Sequence, residues 1–317
     1  MKKNVKDFID KIKTAKSIAI AGHKNPDGDS LCSVLALARL IHLNFNKKTV
    51  CVYDGNIPDC LDNVPDRKNI IYFEHIDLKK VFDLVILLDY GTENHLGGFL
   101  EICKNAKVIA EIDHHKNDAP LADICIDDIE ASSVGEIIYD LICTQKLKFD
   151  DAILELLATS IITDTGNFKY VCHGKTLRIM AEMVDAGISI KNISNALNNK
   201  PRKSVITEAG VAANTEFFYK GRLALATVDE KDYKNLDGRG DLILSILEQI
   251  KGLEYIVLLK RQKENQTGVS LRSKTKPIDH IANALGGGGH LNAAGAVVRD
   301  TIENVREKVL TLFKGMK

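Results

Sequence analysis

The segment "HKNPDGDS" (23–30) places His23, Asp27 and Asp29 within seven residues, directly after the apolar run "SIAIAG". Asp89 closes "DLVILLD", Asp113, His114 and His115 close "EIDHH", and Asp164 stands in "ITDTGNF". Each piece alone has a plain reading. Pro, Asp and Gly favour solvated turns, a lone Asp after a strand can cap a helix, and two adjacent histidines specify nothing. Together they form an imidazole–carboxylate set of the type that binds Mn²⁺ or Mg²⁺. The seven cysteines contain no C-x-x-C pair, which argues against a structural zinc site.

These residues require elements that bring them to one edge. Continuous apolar runs at 17–21, 49–53, 83–89, 107–113 and 123–127 read as strands buried on both faces, as in a parallel sheet. Helices are expected at 30–43, 150–163 and 175–186, the last stopped by Gly187. Another runs through "VGEIIYDLI", capped by Ser132 or Ser133 with Glu136 placed for a capping box. This is a doubly wound α/β pattern. In such sheets ligands bind at the carboxyl ends of the strands, where three of the runs deliver Asp or His.

The polar, Asn-rich stretch 188–204, with Pro201 near its end, reads as an interdomain connection that is partly helical. The expected domains are 1–188 and 205–317, with 189–204 as linker. The second part carries a strand "RLALATVD", two strands within 255–273 joined by a polar turn, a helix "IDHIANALG", a strand "AGAVVRD" and a closing helix over 301–314. The run "ALGGGGHLNAAG" (284–295) exposes backbone N–H groups and permits positive φ. It reads either as a flexible loop or as an anion-binding nest. No Gly-Lys-Ser/Thr follows, so it is not a Walker loop. Arg272, in "GVSLRS", suits bidentate phosphate contact, although a strand arginine is often merely solvated. Lys260, Arg261, Lys263, Lys274 and Lys276 could add positive field, or could decorate a solvated hairpin. Phe168 and Tyr170 could stack on a base or simply pack.

A chain of 317 residues with 45% hydrophobic and 27% charged residues is an ordinary globular composition, long enough for two domains. No run approaches the ~20 apolar residues of a membrane span. The N-terminus reads as an amphipathic helix rather than a signal peptide, so a cytoplasmic location is expected. Cys51, Cys103, Cys125 and Cys143 read as small buried hydrophobes of a reducing compartment. The net charge is zero, which argues against coating long nucleic acid. Residues 1–200 hold 24 Lys and Arg against 29 Asp and Glu, and residues 201–317 hold 19 against 14. The first part suits cations and the second anions, although surface charge varies this much by chance.

The segments "HKNPDGDS", "LLDYG", "EIDHHKND" and "SIITDTGNF" resemble, in order, the four motifs of the DHH phosphoesterase superfamily. "GVSLRS" followed by "GGGGH" and "AAG" resembles its associated C-terminal domain, so the resemblance spans nearly the whole chain. It implies an N-terminal doubly wound, mainly parallel sheet and a smaller C-terminal α/β domain, with the active-site cleft between them. Carried onto this sequence, His23 and Asp27 would bind one metal, Asp29, His114 and Asp164 the other, and Asp89 would bridge both. Asp113 would orient a histidine, and His115 would reach the substrate phosphate or the leaving oxygen. Asp89, Asp113 and His115 are therefore the expected catalytic residues. Arg272, Gly288, Gly289 and His290 would bind substrate phosphate. The implied cofactors are two divalent metal ions, Mn²⁺ first, with Mg²⁺ or Co²⁺ as alternatives. One departure is Cys32, where relatives often carry glycine.

The compact layout is similar to the oligoribonuclease (nano-RNase)/pAp-phosphatase group. The implied activity is hydrolysis of short RNA to 5′-mononucleotides, of 3′-phosphoadenosine 5′-phosphate (pAp) to AMP and phosphate, or of both, by a metal-bridged hydroxide. The neighbouring alternative is a pApA or cyclic di-AMP phosphodiesterase. A non-catalytic nucleotide-binding regulator is the alternative from another class. Family II pyrophosphatase activity is disfavoured by the "GGGGH" module. The expected partners are short oligoribonucleotides or small nucleotides, with no long duplex and no membrane; a homodimer is left open.

Overall fold

The computed structural model describes residues 2–117, 119–170, 172–236, 240–274 and 276–314, with backbone only for Lys2, Lys3 and His290. The chain divides into two compact units, Met1–Asn199 and Lys200–Lys317.

The first unit runs α1 (Lys2–Thr14), β1 (Ile18–Ala21), α2 (Gly28–Phe45), β2 (Thr49–Tyr53), β3 (Ile70–Tyr72), β4 (Leu84–Leu88), α3 (Leu100–Cys103), β5 (Ile109–Asp113) and β6 (Ile124–Asp127). Four helices complete it: α4 (Val134–Gln145), α5 (Asp151–Asp164), α6 (Gly174–Asp185) and α7 (Ile190–Asn198). Its six strands are all parallel, in the order β3-β2-β1-β4-β5-β6. β1 (IAIA) and β4 (LVILL) are buried at every position, because apolar side chains cover both sheet faces. On one face Ile20, Ile86 and Ile112 share a core with Leu31 and Leu35 of α2 and Leu157 and Ile161 of α5. On the other, Val85 and Leu87 meet Tyr90, Leu96 and Phe99. Strand order reverses between β1 and β4, which opens a crevice at their carboxyl ends. Here α2 and α5 approach closely. A Cβ at Gly28 would lie 2.3 Å from Thr163 Cγ2, so that approach needs glycine.

The edge strand β3 is an addition to the expected set. Its three residues, all half-exposed or exposed, make an apolar run shorter than those of the expected strands. The stretch expected as a linker is largely helical. Ser189 caps α7, its side chain accepting from Asn192 N, and Ile193 joins the main core. The units divide after Asn199.

The second unit contains α8 (Arg202–Ala213), β7 (Glu216–Phe218), β8 (Leu223–Val228), α9 (Glu230–Tyr233), α10 (Asp241–Glu248), β9 (Tyr255–Lys263), β10 (Gln266–Ser273), α11 (Asp279–Ala284), β11 (Gly288–His290), β12 (Ala293–Val298) and α12 (Ile302–Phe313). Its sheet order is β11-β12-β10-β9-β8-β7. Only β8 and β9 pair in parallel; the other pairs are antiparallel. Ile281 of α11 and Val305 and Val309 of α12 pack on one face with Val257, Leu259 and Leu271. Val211 of α8 and Ile243 and Leu247 of α10 pack on the other, over β8 and β9. Among the described residues no helix is long and apolar enough to cross a membrane.

Candidate metal centre

β1, β4 and β5 lie side by side, so their carboxyl ends deliver His23, Asp89 and the Asp113–His115 segment to one place. α2 starts at Gly28 with Asp27 as its N-cap, the Asp27 carboxylate accepting from Ser30 N at 3.0 Å. This puts Asp29 in the first helical turn, so Asp27 and Asp29 face different neighbours. Asp164 ends α5, which packs against α2.

Two clusters result: His23, Asp27 and Asp89, and Asp29, His114 and Asp164. His23 Nε2 lies 3.6 Å from Asp27 Oδ1 and 3.7 Å from Asp89 Oδ2. His114 Nε2 lies 3.5 Å from Asp89 Oδ1, 3.6 Å from Asp164 Oδ2 and 3.9 Å from Asp29 Oδ2. Asp89 therefore turns one carboxylate oxygen to each cluster. It does so from a left-handed backbone conformation, φ 52°, which Asp tolerates better than most residues but which still carries strain.

The donor set fits two divalent cations. His23 Nδ1 faces Lys24 O at 3.0 Å and His114 Nδ1 faces Ala131 O at 3.3 Å. Donation from Nδ1 to a carbonyl leaves the Nε2 lone pair directed at the carboxylates, the usual arrangement of a metal-bound histidine. With metal–ligand bonds of about 2.1 Å, neighbouring ligands of an octahedral ion stand about 3.0 Å apart and opposite ones about 4.2 Å. The observed separations of 3.5–3.9 Å fall between.

The protonation preferences of these side chains describe a site short of positive charge. Burial lowers the basicity of His23, but Asp27 and Asp89 outweigh it and hold the imidazole raised to about 10. Burial and the Asp89 charge push Asp29 up to about 7. Asp164 is raised as well, by burial against the pull of His114. Cations would relieve this charge imbalance.

Asp113 stands behind the clusters. Its Oδ2 accepts from Tyr90 N at 3.0 Å and Gly91 N at 2.9 Å; its Oδ1 accepts from His115 N at 2.9 Å and meets His115 Nδ1 at 2.8 Å. Nε2, on the opposite side of the His115 ring, is turned away from this pairing. Burial lowers the His115 pKa, but Asp113 and Asp89 raise it overall.

Several contributors were not expected from the sequence. Asp29 Oδ1 accepts from Ser33 Oγ at 2.9 Å and Ser160 Oγ at 2.5 Å, and Oδ2 accepts from Val134 N at 2.9 Å. The N-terminus of α4 thus turns backbone N–H groups toward the Asp29 carboxylate. Ser33 lies four residues after Asp29 on α2, and Ser160 four before Asp164 on α5. That same-face spacing was the available signal. Ser30 Oγ accepts from His23 N at 3.1 Å, in the space where a Cβ on Gly22 would fall.

In the second unit, Arg272 on β10 pairs in register with Ala293, which pairs with His290 on β11. The side chain of His290 lies outside the described residues. Gly288 and Gly289 form part of β11 rather than an open loop. At Gly289 a Cβ would sit 2.7 Å from Ala293 O, and at Gly287 2.0 Å from Gly295 O, so strand pairing itself requires these glycines. Gly288 has neither a positive φ nor a close neighbour, with Asn283 Oδ1 nearest at 3.8 Å. Of the surrounding basic residues, Arg261 pairs with Glu303 and Lys274 Nζ donates to Ile250 O. Phe168 packs against the main core, whereas Tyr170 is exposed. Cys32 is fully buried, which pushes its thiol pKa up and makes it a packing residue. Cys51 and Cys103 are buried as expected, but Cys143 is exposed and Cys125 only half-buried. Cys125 lies on the edge strand β6, which lacks a second strand to cover it.

Residues 17–161 match the model described as the DHH family, N-terminal domain, and residues 240–315 match the DHHA1 domain. A Streptococcus mutans relative named probable bifunctional oligoribonuclease and PAP phosphatase NrnA is 29% identical over 94% of this chain and 95% of its own. A Thermus thermophilus relative named bifunctional oligoribonuclease and PAP phosphatase NrnA is 26% identical over 92% of this chain and 88% of its own. The crystal structure of an exopolyphosphatase-related protein from Bacteroides fragilis matches with a TM-score of 0.88 at 23% identity, covering 100% of this chain and 98% of that one. This last likeness is one of fold.

Proposed function

The chain belongs to the DHH family, a DHH domain followed by a DHHA1 domain, and from that premise we propose that it is a cytoplasmic, Mn²⁺-dependent phosphoesterase acting on short nucleotidic substrates. It would release 5′-mononucleotides from RNA of a few residues, convert pAp to AMP and phosphate, or do both. The relatives' names support that substrate class.

The observation that carries the reading is the Asp89 carboxylate, one oxygen facing His23 and the other His114. A cation pair held by His23, Asp27, Asp29, Asp89, His114 and Asp164 would supply an acidified water and positive charge for the phosphoryl oxygens. The chain's own residues do the rest. Asp113 accepts the Nδ1–H of His115 and supports its imidazolium form, whose Nε2–H would donate to the leaving oxygen. Ser33, Ser160 and the start of α4 hold the Asp29 carboxylate in place. Arg272, with the backbone of Gly288 and Gly289 and with His290, would hold substrate phosphate.

The test is a turnover panel of pAp, pApA, RNA 2-mers to 5-mers, longer RNA and pyrophosphate, each with Mn²⁺, with Mg²⁺ and with EDTA. Metal-dependent turnover of pAp or of the short RNAs is expected. Preference for pyrophosphate or long RNA, or tight binding without turnover at saturating Mn²⁺, would refute the proposal.

A further inference from the structure

A second group of metal-ligand type lies outside the centre just described. Glu111 of β5 and Cys125 of β6 are direct cross-strand partners, and Asp127 stands two residues further along β6. Residues two apart share a sheet face, so all three lie on the face opposite Ala110, Ile112 and Ile126 of the main core. A carboxylate oxygen of Glu111, Cys125 Sγ and a carboxylate oxygen of Asp127 lie within 4.8 Å of one another. Asp127 is exposed and Cys125 half-buried, which gives access from solvent.

We propose that Glu111, Cys125 and Asp127 form a binding site for a borderline-soft divalent cation of the Zn²⁺ class, separate from the histidine–aspartate centre. Glu111 is fully buried; its Oε2 accepts from the Tyr90 hydroxyl, its Oε1 receives no amide, hydroxyl or ammonium donor, and its carboxylate faces the Cys125 thiol and the Asp127 carboxyl. A buried carboxylate oxygen without a donor is costly. Among the described residues neither Glu111 nor Asp127 forms an ion pair with a lysine or arginine. Burial and the Glu111 charge push Asp127 up to about 7, and burial with Glu111 pushes the Cys125 thiol up to about 12. One divalent cation would supply the missing positive charge to all three groups.

The ligand types set the selectivity. A sulfur and two carboxylates favour Zn²⁺ or Co²⁺, whereas the purely oxygen and nitrogen donors at Asp89 suit Mn²⁺ or Mg²⁺. The two sites share a contact. Tyr90, whose hydroxyl holds Glu111 in place, also donates its backbone N–H to Asp113. Its hydroxyl in turn receives Asn117 Nδ2 at 3.3 Å and Leu121 N at 3.4 Å, so the buried acid has a fixed position.

Cobalt alone is the probe. Metal-free protein titrated with Co²⁺ should develop the near-ultraviolet thiolate-to-cobalt charge-transfer absorption, saturating at one thiolate-bound cobalt per chain. The histidine–aspartate centre has no sulfur ligand and cannot produce this band. Cys125→Ala should lose it, with its fold checked by circular dichroism. Asp127→Asn, a change at an exposed position, should weaken cobalt binding at least tenfold, and Cys172→Ala should leave it unchanged. Absence of the band at excess cobalt would mean that Glu111 and Asp127 merely share a proton, which overturns the proposal. Persistence of the band in Cys125→Ala, or undiminished affinity in Asp127→Asn, would overturn it too.

Discussion

Asp113→Asn separates orientation of His115 from metal binding. The Asp113 carboxylate faces four donors: Tyr90 N and Gly91 N at Oδ2, and His115 N and His115 Nδ1 at Oδ1. An amide keeps only one acceptor atom. Turning its NH₂ toward Tyr90 and Gly91 would strand two buried backbone N–H groups. Turning it toward His115 strands one, because the imidazole can switch tautomer and accept from the amide. The second arrangement wins and costs about 1–3 kcal/mol for the stranded His115 N–H. It also moves the ring proton from Nδ1 to Nε2 and removes the carboxylate that supports the imidazolium. Loss of a positioned general acid lowers turnover by about 10²–10⁴-fold. Urea unfolding gives the first quantity, phosphate release from pAp the second, and metal content per chain should stay at the wild-type value. Activity within tenfold of wild type, or loss of bound metal, would refute the assignment of Asp113 as an orienting residue.

Three more predictions follow from local contacts. In Gly135→Ala the new Cβ would fall 2.0 Å from Ser160 Oγ and 2.8 Å from Ser160 Cβ. Urea unfolding should show a loss of about 1–3 kcal/mol. Glu136 is buried, which raises its pKa, but donation from Thr176, Ser132 and Lys175 outweighs burial and holds it below the ordinary 4.5. Its folded pKa lies below its unfolded one, so its stabilisation is complete above pH 4.5 and fades as pH falls through the folded value. Glu136→Gln should flatten that limb of a urea-midpoint curve recorded from neutral to acid pH. Arg272→Lys keeps the charge but not the planar fork; the KM for pAp should rise about tenfold, a loss of ~1.4 kcal/mol, with kcat retained.

What could be read from the sequence was local in origin. β1 and β4 are apolar on consecutive positions, β5 is apolar apart from Glu111 before it reaches Asp113, and each strand leads into Asp or His, so both the strands and their cargo were visible in the letters. The turn at Pro26–Gly28 belonged to the same stretch as the residues it orients. What could not be read depends on partners distant in the chain. β11 exists because it pairs with β12, which turned an expected glycine loop into a strand. β3 is too short to carry a pattern. The two-sided use of Asp89 rests on a left-handed φ that a strand-like run does not announce. Ser33 and Ser160 matter only because α2 and α5 pack together, and the Glu111–Cys125 neighbourhood arises from cross-strand register.

The most direct test of the two-cation account is pAp turnover measured against Mn²⁺ bound per chain, starting from EDTA-stripped protein, with Asp89→Ala alongside. A two-cation centre gives no turnover without metal, full turnover at two Mn²⁺ bound to the histidine–aspartate residues, and none in Asp89→Ala. Turnover that survives EDTA, or that persists in Asp89→Ala, would contradict it.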